Sequence, residues 1–430
     1  MKYIEPRVLK GFPDFLPGEQ LRRQRMFSTI QSVFERFGFL PMSTPALEYK
    51  ELLLNKYGDD EKLVYSFEDH GGRGVALRYD LTVPLARFVA MHEHELTFPF
   101  KRYQIGPVWR AENTQKGRLR EFYQCDIDVV GTESELSDTE IIACLCQTLE
   151  ELGISNYSVK VNDRGIFNLF ASSFNGSMEQ GVELIRAIDK FYKIGTQGVL
   201  DILSEKGFNS SALARVEQIV ELGINQNALQ GIRTLFPENL TVAEPIENLL
   251  KLLNLQGVPA EKVIFDPLIA RGLDYYTGMV FELNLVDHPE FGSIGGGGRY
   301  NSLVDQFSKS PLPAVGGSLG IDRIFEALTT LGLLDSSPAI TCVLLNMEAS
   351  LLKDYIEIVT ELRSNGISSE LYYEPAKLEK QFKFAERKGA HFVVLLGEKE
   401  KAADIVTVKE LTTRIETQIP RTSLVHFLKN

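Results

Sequence analysis

Sulfur and histidine are scarce in this 430-residue chain, which has four cysteines (Cys125, Cys144, Cys146 and Cys342) and six histidines. No cysteines form a CxxC pair and no histidines stand in HxxxH spacing. A disulfide framework, a structural zinc and a histidine-built metal site are therefore not expected, so no metal held by protein side chains is assigned, and a reducing cytoplasm fits. No apolar run is long enough to span a bilayer, so no membrane partner is expected. Residues 1–10 carry no apolar core behind a basic patch, which argues against a signal peptide. Positive charge is also short: 46 Lys+Arg face 58 Asp+Glu, a net charge of −12. That argues mildly against a nucleic-acid partner, because phosphates favour a basic protein. The deficit is uneven, however. From Pro338 onward 13 cations balance 13 anions, so it falls wholly on the larger N-terminal part, and a neutral tail can still carry a basic stripe.

The length allows two or three domains. Phe27, Ile30, Val33, Phe34 and Phe37 mark a helix that stops at Gly38. Residues 103–110 and 122–130 alternate like antiparallel strands. Ser137 and Glu140 have capping-box spacing, ahead of a helix carrying Ile141, Ile142, Leu145, Leu149 and Leu152. Residues 168–257 are Leu-rich and helical in period, an inserted helical module, and strand pattern resumes at Val263. A helix bearing Ile321, Ile324, Phe325, Leu328 and Leu331 ends at Gly332, and 333–338 reads as a linker. Beyond it, strands at 342–345, 367–372 and 392–396 alternate with helices at 350–365 and 376–388. That pattern predicts a small α/β domain with right-handed crossovers.

Five constellations carry chemistry. Arg110-Ala111-Glu112, a loop with Lys116, Gly117, Arg118 and Arg120, and Phe122-Tyr123-Gln124-Cys125-Asp126-Ile127-Asp128 form a candidate hairpin. Strand parity puts Phe122, Gln124, Asp126 and Asp128 on one face and Tyr123, Cys125, Ile127 and Val129 on the other. The second face is core material. The first suits a polar ligand, with a base stacked on Phe122 and arginines forking onto phosphate oxygens; a hairpin with one solvated face is the plain alternative. Arg271-Gly272-Leu273-Asp274-Tyr275-Tyr276 follows an apolar stretch and reads equally well as a strand end with an interface tyrosine pair. Gly295 to Gly298, then Arg299-Tyr300, has no Lys-Ser/Thr behind it and is not a P-loop; taken alone it reads as a flexible turn. Gly316 to Arg323 runs into a helix and sets Arg323 in its first turn, where the helix dipole disfavours a cation and an anionic partner is expected. Asp80 and Thr82 can jointly bind an ammonium group, although a surface turn is the simpler reading.

In this order, and over nearly the whole chain, these pieces resemble the class II aminoacyl-tRNA synthetases, and specifically the histidyl branch. Residues 37–45 resemble the first class motif, 110–128 the second, with its Gln-Cys-Asp form, and 316–323 the third. Arg271 to Tyr276 and Gly295 to Tyr300 resemble the two histidine-specific signatures. Asp80 and Asp128 stand where Glu is usual in bacterial members, one methylene shorter. The resemblance implies an α+β catalytic domain, an antiparallel sheet flanked by helices, over 1–332. The helical insertion would occupy 168–257 within it, and an α/β anticodon-binding domain 338–430. It implies activation of L-histidine by ATP with Mg²⁺, loading onto tRNA(His), and a homodimer built through the first motif. By the same resemblance Arg110 holds the α-phosphate, Arg118 and Arg323 the γ-phosphate end, Glu112 contacts adenine and Phe122 stacks on it. Asp80, Thr82 and Gln124 bind the α-amino group, Asp128 and Tyr276 read the imidazole with Tyr275 alongside, and Arg271 stabilises charge on the α-phosphate.

The chemistry agrees with those roles. Attack by a carboxylate on phosphorus needs positioning and charge neutralisation rather than a nucleophilic side chain. A neutral imidazole offers one donor and one acceptor, which a carboxylate and a tyrosine hydroxyl complement. Lys377, Lys380, Lys383 and Arg387 recur at three or four residues as one basic stripe for tRNA, beside a predicted buried stripe of Leu378, Phe382 and Ala385; a solvated helix face is the plain reading. The main rival is a regulatory relative that binds histidine without tRNA chemistry. Such relatives lack the tail and the arginines that Arg110, Arg118, Arg271 and Arg323 supply here. A class II synthetase for another amino acid would not need the Asp128 and Tyr276 pair, and a pure RNA-binding module would not need the aromatic-arginine hairpin.

Overall fold

The computed structural model describes residues 3–54, 58–114, 119–172, 178–188, 190–222, 228–269, 276–308, 311–334 and 340–429. Two compact units divide the chain: Met1–Phe15 with Arg23–Leu334, and Leu16–Arg22 with Asp335–Asn430.

Helix α1 (Pro17–Arg36) starts with proline, whose missing amide hydrogen costs nothing at that position, and buries Met26, Ile30, Val33 and Phe34. Gly38 stops it at φ +79°, and the Phe39 amide returns to the Phe34 carbonyl. Strand β1 (Leu40–Pro41) follows, then β2 (Leu47–Tyr49), helix α2 (Lys50–Leu53), β3 (Ser66–Glu68) and β4 (Gly74–Leu77). The last three strands make a separate antiparallel sheet in the order β2-β4-β3. Helix α3 (Thr82–His92) leads to a long hairpin, β5 (Phe100–Trp109) with β6 (Glu121–Val130). Helix α4 (Glu135–Glu151) and strand β7 (Tyr157–Asp163) come next.

The chain then runs through α5 (Arg164–Ser172), α6 (Met178–Ile188), α7 (Phe191–Glu205), α8 (Ser210–Glu221), α9 (Ala228–Leu235) and α10 (Glu244–Leu255). These helices share a core of their own, including Phe167, Leu203, Val216, Ile232 and Phe236. Strands β8 (Val263–Phe265), β9 (Met279–Leu285) and β10 (Ser293–Arg299), helix α11 (Asn301–Asp305), strand β11 (Ala314–Gly320) and helix α12 (Ile321–Thr330) complete the unit.

Its main sheet runs β1-β5-β6-β11-β10-β9-β7-β8. The sheet is mixed rather than purely antiparallel: the short edge strands β1 and β8 pair parallel with β5 and β7. One face packs on α1, α4 and α12 through Phe34, Cys125, Ile127, Leu145 and Ile324. The other carries Tyr79, Val83, Val89, Tyr276, Tyr300 and Leu303, from the α3 and α11 side.

Two local expectations change. Helix α4 begins a turn earlier than the capping box predicts: Ser134 is its cap and accepts the Leu136 amide, while Ser137 lies inside the helix. The four-glycine run is a strand, not a turn. A Cβ on Gly297 would lie 2.0 Å from the Gly316 carbonyl oxygen, so the glycines let β10 and β11 approach closely.

In the second unit, β12 (Ile340–Leu344), α13 (Leu352–Ser364), β13 (Ser369–Leu371), α14 (Leu378–Arg387) and β14 (Ala390–Leu395) alternate as the pattern predicts, with β13 and β14 parallel to β12. Helix α15 (Glu398–Ala402), an antiparallel hairpin of β15 (Ile405–Glu410) and β16 (Glu416–Pro420), and helix α16 (Leu424–Lys429) extend it. That hairpin was not legible, because its Lys, Glu and Thr residues break the apolar alternation. Leu344, Tyr355, Leu362 and Val394 fill one side of the sheet, and Val343, Ala385 and Val393 the other.

Candidate active site

Strand β6 sorts its residues as parity predicts. Cys125, Ile127 and Val129 join the core. Asp126 and Asp128 are buried on the opposite face, with Gln124 half-buried beside them. Register brings β5 and β11 against this face: Arg102 stands across from Asp128, Gln104 and Ser318 across from Asp126, and Gly316 on the far side of Asp128.

Asp128 is gripped from two sides. The Nη2 of Arg102, itself fully buried, lies 2.6 Å from Oδ2, and the Tyr300 hydroxyl donates to Oδ1. A Cβ on Gly316 would fall 1.9 Å from that same Oδ1, so glycine makes the space in which the carboxylate sits. Burial raises the Asp128 pKa, and Arg102 and Tyr300 pull it back. Burial pushes Asp126 up to about 7; Arg102 opposes the shift and the neighbouring Asp128 adds to it. Nε and Nη1 of Arg102, Oδ1 of Asp126 and Oε1 of Gln124 are buried with no protein hydrogen-bond partner, the signature of a polar site shaped for a ligand or water.

Asp80 is buried rather than set in a surface turn. Its Oδ1 accepts the amides of Thr82 at 3.1 Å and Val83 at 3.0 Å and so fixes the first turn of α3. Thr82 is half-buried. Tyr276 is buried, and its carbonyl accepts from Arg164. Arg271 and Tyr275 lie outside the described residues, as do Lys116, Gly117 and Arg118.

At the hairpin mouth the Arg110 guanidinium sits 4.2 Å from the Tyr79 ring centroid and 5.1 Å from that of Phe122, and its Nε donates to the Tyr79 carbonyl. Arg120 donates to the Glu112 carbonyl at 3.0 Å. Arg323 stands in the first turn of α12, and its Nη1 bonds the Ser293 carbonyl at 2.6 Å. An aromatic-arginine cluster next to a buried acidic floor can hold a planar base and phosphates at one end and an amino acid's ammonium group at the other. The four thiols are buried and burial raises all their pKa values, so none is a poised nucleophile.

In the second unit Lys377 precedes α14, and Lys380, Lys383 and Arg387 lie along it. With Tyr372, Glu379 and Phe384 they line a cavity of about 400 Å³. The buried stripe of α14 differs from the expected one: Leu378 is exposed, and Gln381 is fully buried beside Ala385. Its amide bonds Asn346 through both ends, so a polar side chain is buried with its partners satisfied.

Sequence reasoning put Asp126 on the ligand-facing side of β6 and Ser318 and Tyr300 in motifs without giving any of them a specific contact, and it missed Arg102 altogether. The alternation of Arg102 and Gln104 along β5 was the available signal, since it places a cation opposite Asp128. Arg299, from the histidine-specific signature, plays a structural part. It forks onto Asp138 and bonds the Thr132 and Ser134 carbonyls, tying β10 to the start of α4.

Comparison with known proteins bears on the family and the fold. The family model for histidyl-tRNA synthetase matches residues 11–324, and that for an anticodon-binding domain matches 341–430. The chain is 40% identical to a histidine–tRNA ligase of Treponema denticola, covering 98% of this chain and 97% of that one. It is 40% identical to the Xanthomonas campestris enzyme of the same name, at 99% and 96% coverage. Among solved structures, a histidyl-tRNA synthetase from Nostoc superposes with a TM-score of 0.87 at 33% identity, covering 99% of each chain.

Proposed function

The chain belongs to the histidyl-tRNA synthetase family, and from that premise we propose how its residues divide the work. It is a histidine–tRNA ligase: it joins L-histidine to ATP as histidyl-adenylate, releasing pyrophosphate, and passes histidine to the 3′ end of tRNA(His). We assign the catalytic domain to 1–332, the helical insertion to 168–257 and the anticodon-binding domain to 338–430.

The observation that carries the amino-acid half is the buried acidic floor, with the Gln124 Oε1 buried beside it and without a protein partner. Asp80, Thr82 and Gln124 receive the ammonium group. Asp128 and Tyr276, with Tyr275 alongside, read the imidazole. Tyr300 donates to Asp128 Oδ1, while Oδ2 lies in ion-pair contact with Arg102 but accepts no hydrogen bond, and a carboxylate has about four lone-pair sites, so acceptor capacity remains for a ring N–H. A pocket in which those groups stay unpaired rejects other side chains by about 10⁴-fold or more in favourable cases.

Phe122 stacks on adenine and Glu112 contacts it. Arg110 grips the α-phosphate, and Arg118 and Arg323 the γ end. The substrate carboxylate attacks the α-phosphorus, the bond to pyrophosphate breaks, and Arg271 stabilises the charge that develops there. Among the described residues no three His, Cys, Asp or Glu side chains gather into a metal cage. We assign Mg²⁺ to the nucleotide, where phosphate oxygens and water would hold it and it would neutralise phosphate charge.

The cavity of Tyr372, Lys380, Lys383, Phe384 and Arg387 supports anticodon binding by Lys377, Lys380, Lys383 and Arg387, because unstacked bases need aromatic faces and their phosphates need cations. A homodimer is supported by the exposed apolar residues Leu40, Leu47, Tyr49 and Phe67 on short strands in and near the first motif. Four free buried thiols suit a cytoplasmic protein.

Pyrophosphate exchange into ATP, run with each of the twenty amino acids and no tRNA, tests the assignment. We expect exchange with histidine alone, abolished by Arg271→Ala. Exchange with another amino acid would sink the roles given to Asp128 and Tyr276, and histidine binding without exchange would favour a regulatory relative.

A further inference from the structure

Strand β6 sets Asp126 between Gln124 and Asp128, and its cross-strand partner on β11 is Ser318. The Ser318 side chain stands across from Asp126 and acts to hold its carboxyl pKa down, as a hydroxyl pointing its hydrogen at the carboxylate would, while Asp126 Oδ1 has no partner. The same hydroxyl oxygen accepts from Gln124 Nε2 at 3.2 Å, and Gln124 Oε1 is left buried and unbonded. The three side chains thus form one relay that ends on the group assigned to the substrate's ammonium.

We propose that Asp126 and Ser318 are positioning residues for histidine: the ionised Asp126 carboxylate accepts a hydrogen bond from the Ser318 hydroxyl, so Ser318 must accept from the Gln124 NH₂, and the Gln124 carbonyl oxygen is thereby turned to the substrate's ammonium group. The proposal rests on the reading that Gln124 receives that ammonium. Its physical basis is donor counting. A hydroxyl has one hydrogen to give, and the two ends of an amide are nearly equal in shape, so only their bonding decides which end faces the ligand. With Asp126 protonated the relay can run backwards. Asp126 then donates to Ser318, Ser318 donates to the Gln124 oxygen, and the amide NH₂ meets the ammonium, donor against donor.

The groups facing Asp126 are Arg102 and Gln104 from β5, Ser318 from β11, Asp80 ahead of α3, Arg78 after β4, and Gln124 and Asp128 on its own strand. Arg102 is held 2.6 Å from Asp128, and Arg78 bonds the Thr44 and Pro107 carbonyls. Neither cation is placed to neutralise Asp126 outright, and burial raises its pKa to about 7. Above that pH the carboxylate is ionised and the relay is set, and below it the proton returns and the amide loses its fixed orientation.

The test is the pyrophosphate-exchange KM for histidine, with kcat and the ATP KM, from about pH 6 to about pH 8.5. Ser318→Ala and Asp126→Asn are expected to raise the histidine KM about tenfold at the alkaline end, leaving kcat and the ATP KM nearly unchanged. Ser318→Thr, which keeps the hydroxyl, stays close to wild type. The substrate imidazole titrates in the same window, so Asp126→Asn supplies the reference curve. The wild-type KM should rise more steeply than that reference as pH falls through about 7. A wild-type histidine KM in Ser318→Ala, or one pH profile shared by wild type and Asp126→Asn, overturns the proposal. Gln124→Ala separates the two layers. If it raises the histidine KM while Ser318→Ala does not, the relay alone is wrong. If it leaves that KM unchanged, the ammonium reading falls and the relay with it.

Discussion

Gly316 and Gly297 show how much a missing Cβ can decide. A methyl on Gly316 would meet the Asp128 Oδ1 at 1.9 Å and the Ile127 carbonyl at 3.0 Å. The carboxylate can swing, but it then leaves Tyr300 and Arg102. Gly316→Ala is therefore expected to cost about 1–3 kcal/mol in denaturant unfolding and to raise the histidine KM more than the ATP KM. A variant with both constants unchanged would mean that Asp128 does not depend on that space. Gly297 meets backbone instead, 2.0 Å from the Gly316 carbonyl oxygen, and nothing there can rotate away. At this scale the sequence exposed residue types and parity. It did not expose Arg102, because a cation in an alternating strand is ordinarily read as solvent-facing, and only the register with Asp128 shows it buried.

Helix α14 is where element-scale reasoning was partly right. The three- and four-residue spacing placed Lys380, Lys383 and Arg387 on one helix beside a cavity with two aromatic rings, Tyr372 and Phe384, packed edge to face at 5.0 Å. Lys383 also pairs with Glu379 at 2.6 Å, an exposed contact of little energetic weight. Reversing charge with Lys380→Glu plus Lys383→Glu should lower kcat/KM for tRNA(His) by about tenfold or more, since each lost phosphate contact weakens binding and its salt dependence. Histidine-dependent pyrophosphate exchange should not change, because that half-reaction needs no tRNA. Equal loss in both assays would point to misfolding instead. Element boundaries were less legible: Ser137 has the right spacing for a cap, yet Ser134 holds the Leu136 amide, and several serines near one helix start cannot be ranked without backbone geometry.

For the whole molecule, the question is what covers the exposed apolar strands near the first motif. Leu40 is 65% exposed on an edge strand, and Tyr49 and Phe67 are each 51% exposed on the small sheet. Edge strands with apolar side chains invite pairing. Sedimentation at micromolar concentration should therefore find a dimer, and Leu40→Glu with Tyr49→Glu should shift it toward monomer. A wild-type chain that sediments only as monomer would remove the support for this interface. The −12 net charge, which argued mildly against RNA, misled at this scale because binding depends on where cations cluster and not on their sum.

The sequence by itself determined the periodic elements, the run of helices between β7 and β8 and the α/β alternation of the tail, because each depends on neighbours a few residues apart. Side-chain parity on β6 was equally local, and it separated core from site before any fold was known. The tertiary structure decided what distant segments do to one another. Asp80 became a buried anchor for α3, and the glycine run became a strand pressed against another glycine strand. Asp128 acquired Arg102 from 26 positions earlier and Tyr300 from 172 positions later. Burial, register and the direction of a hydrogen bond are properties of pairs brought together by folding, and no spacing along the chain encodes them.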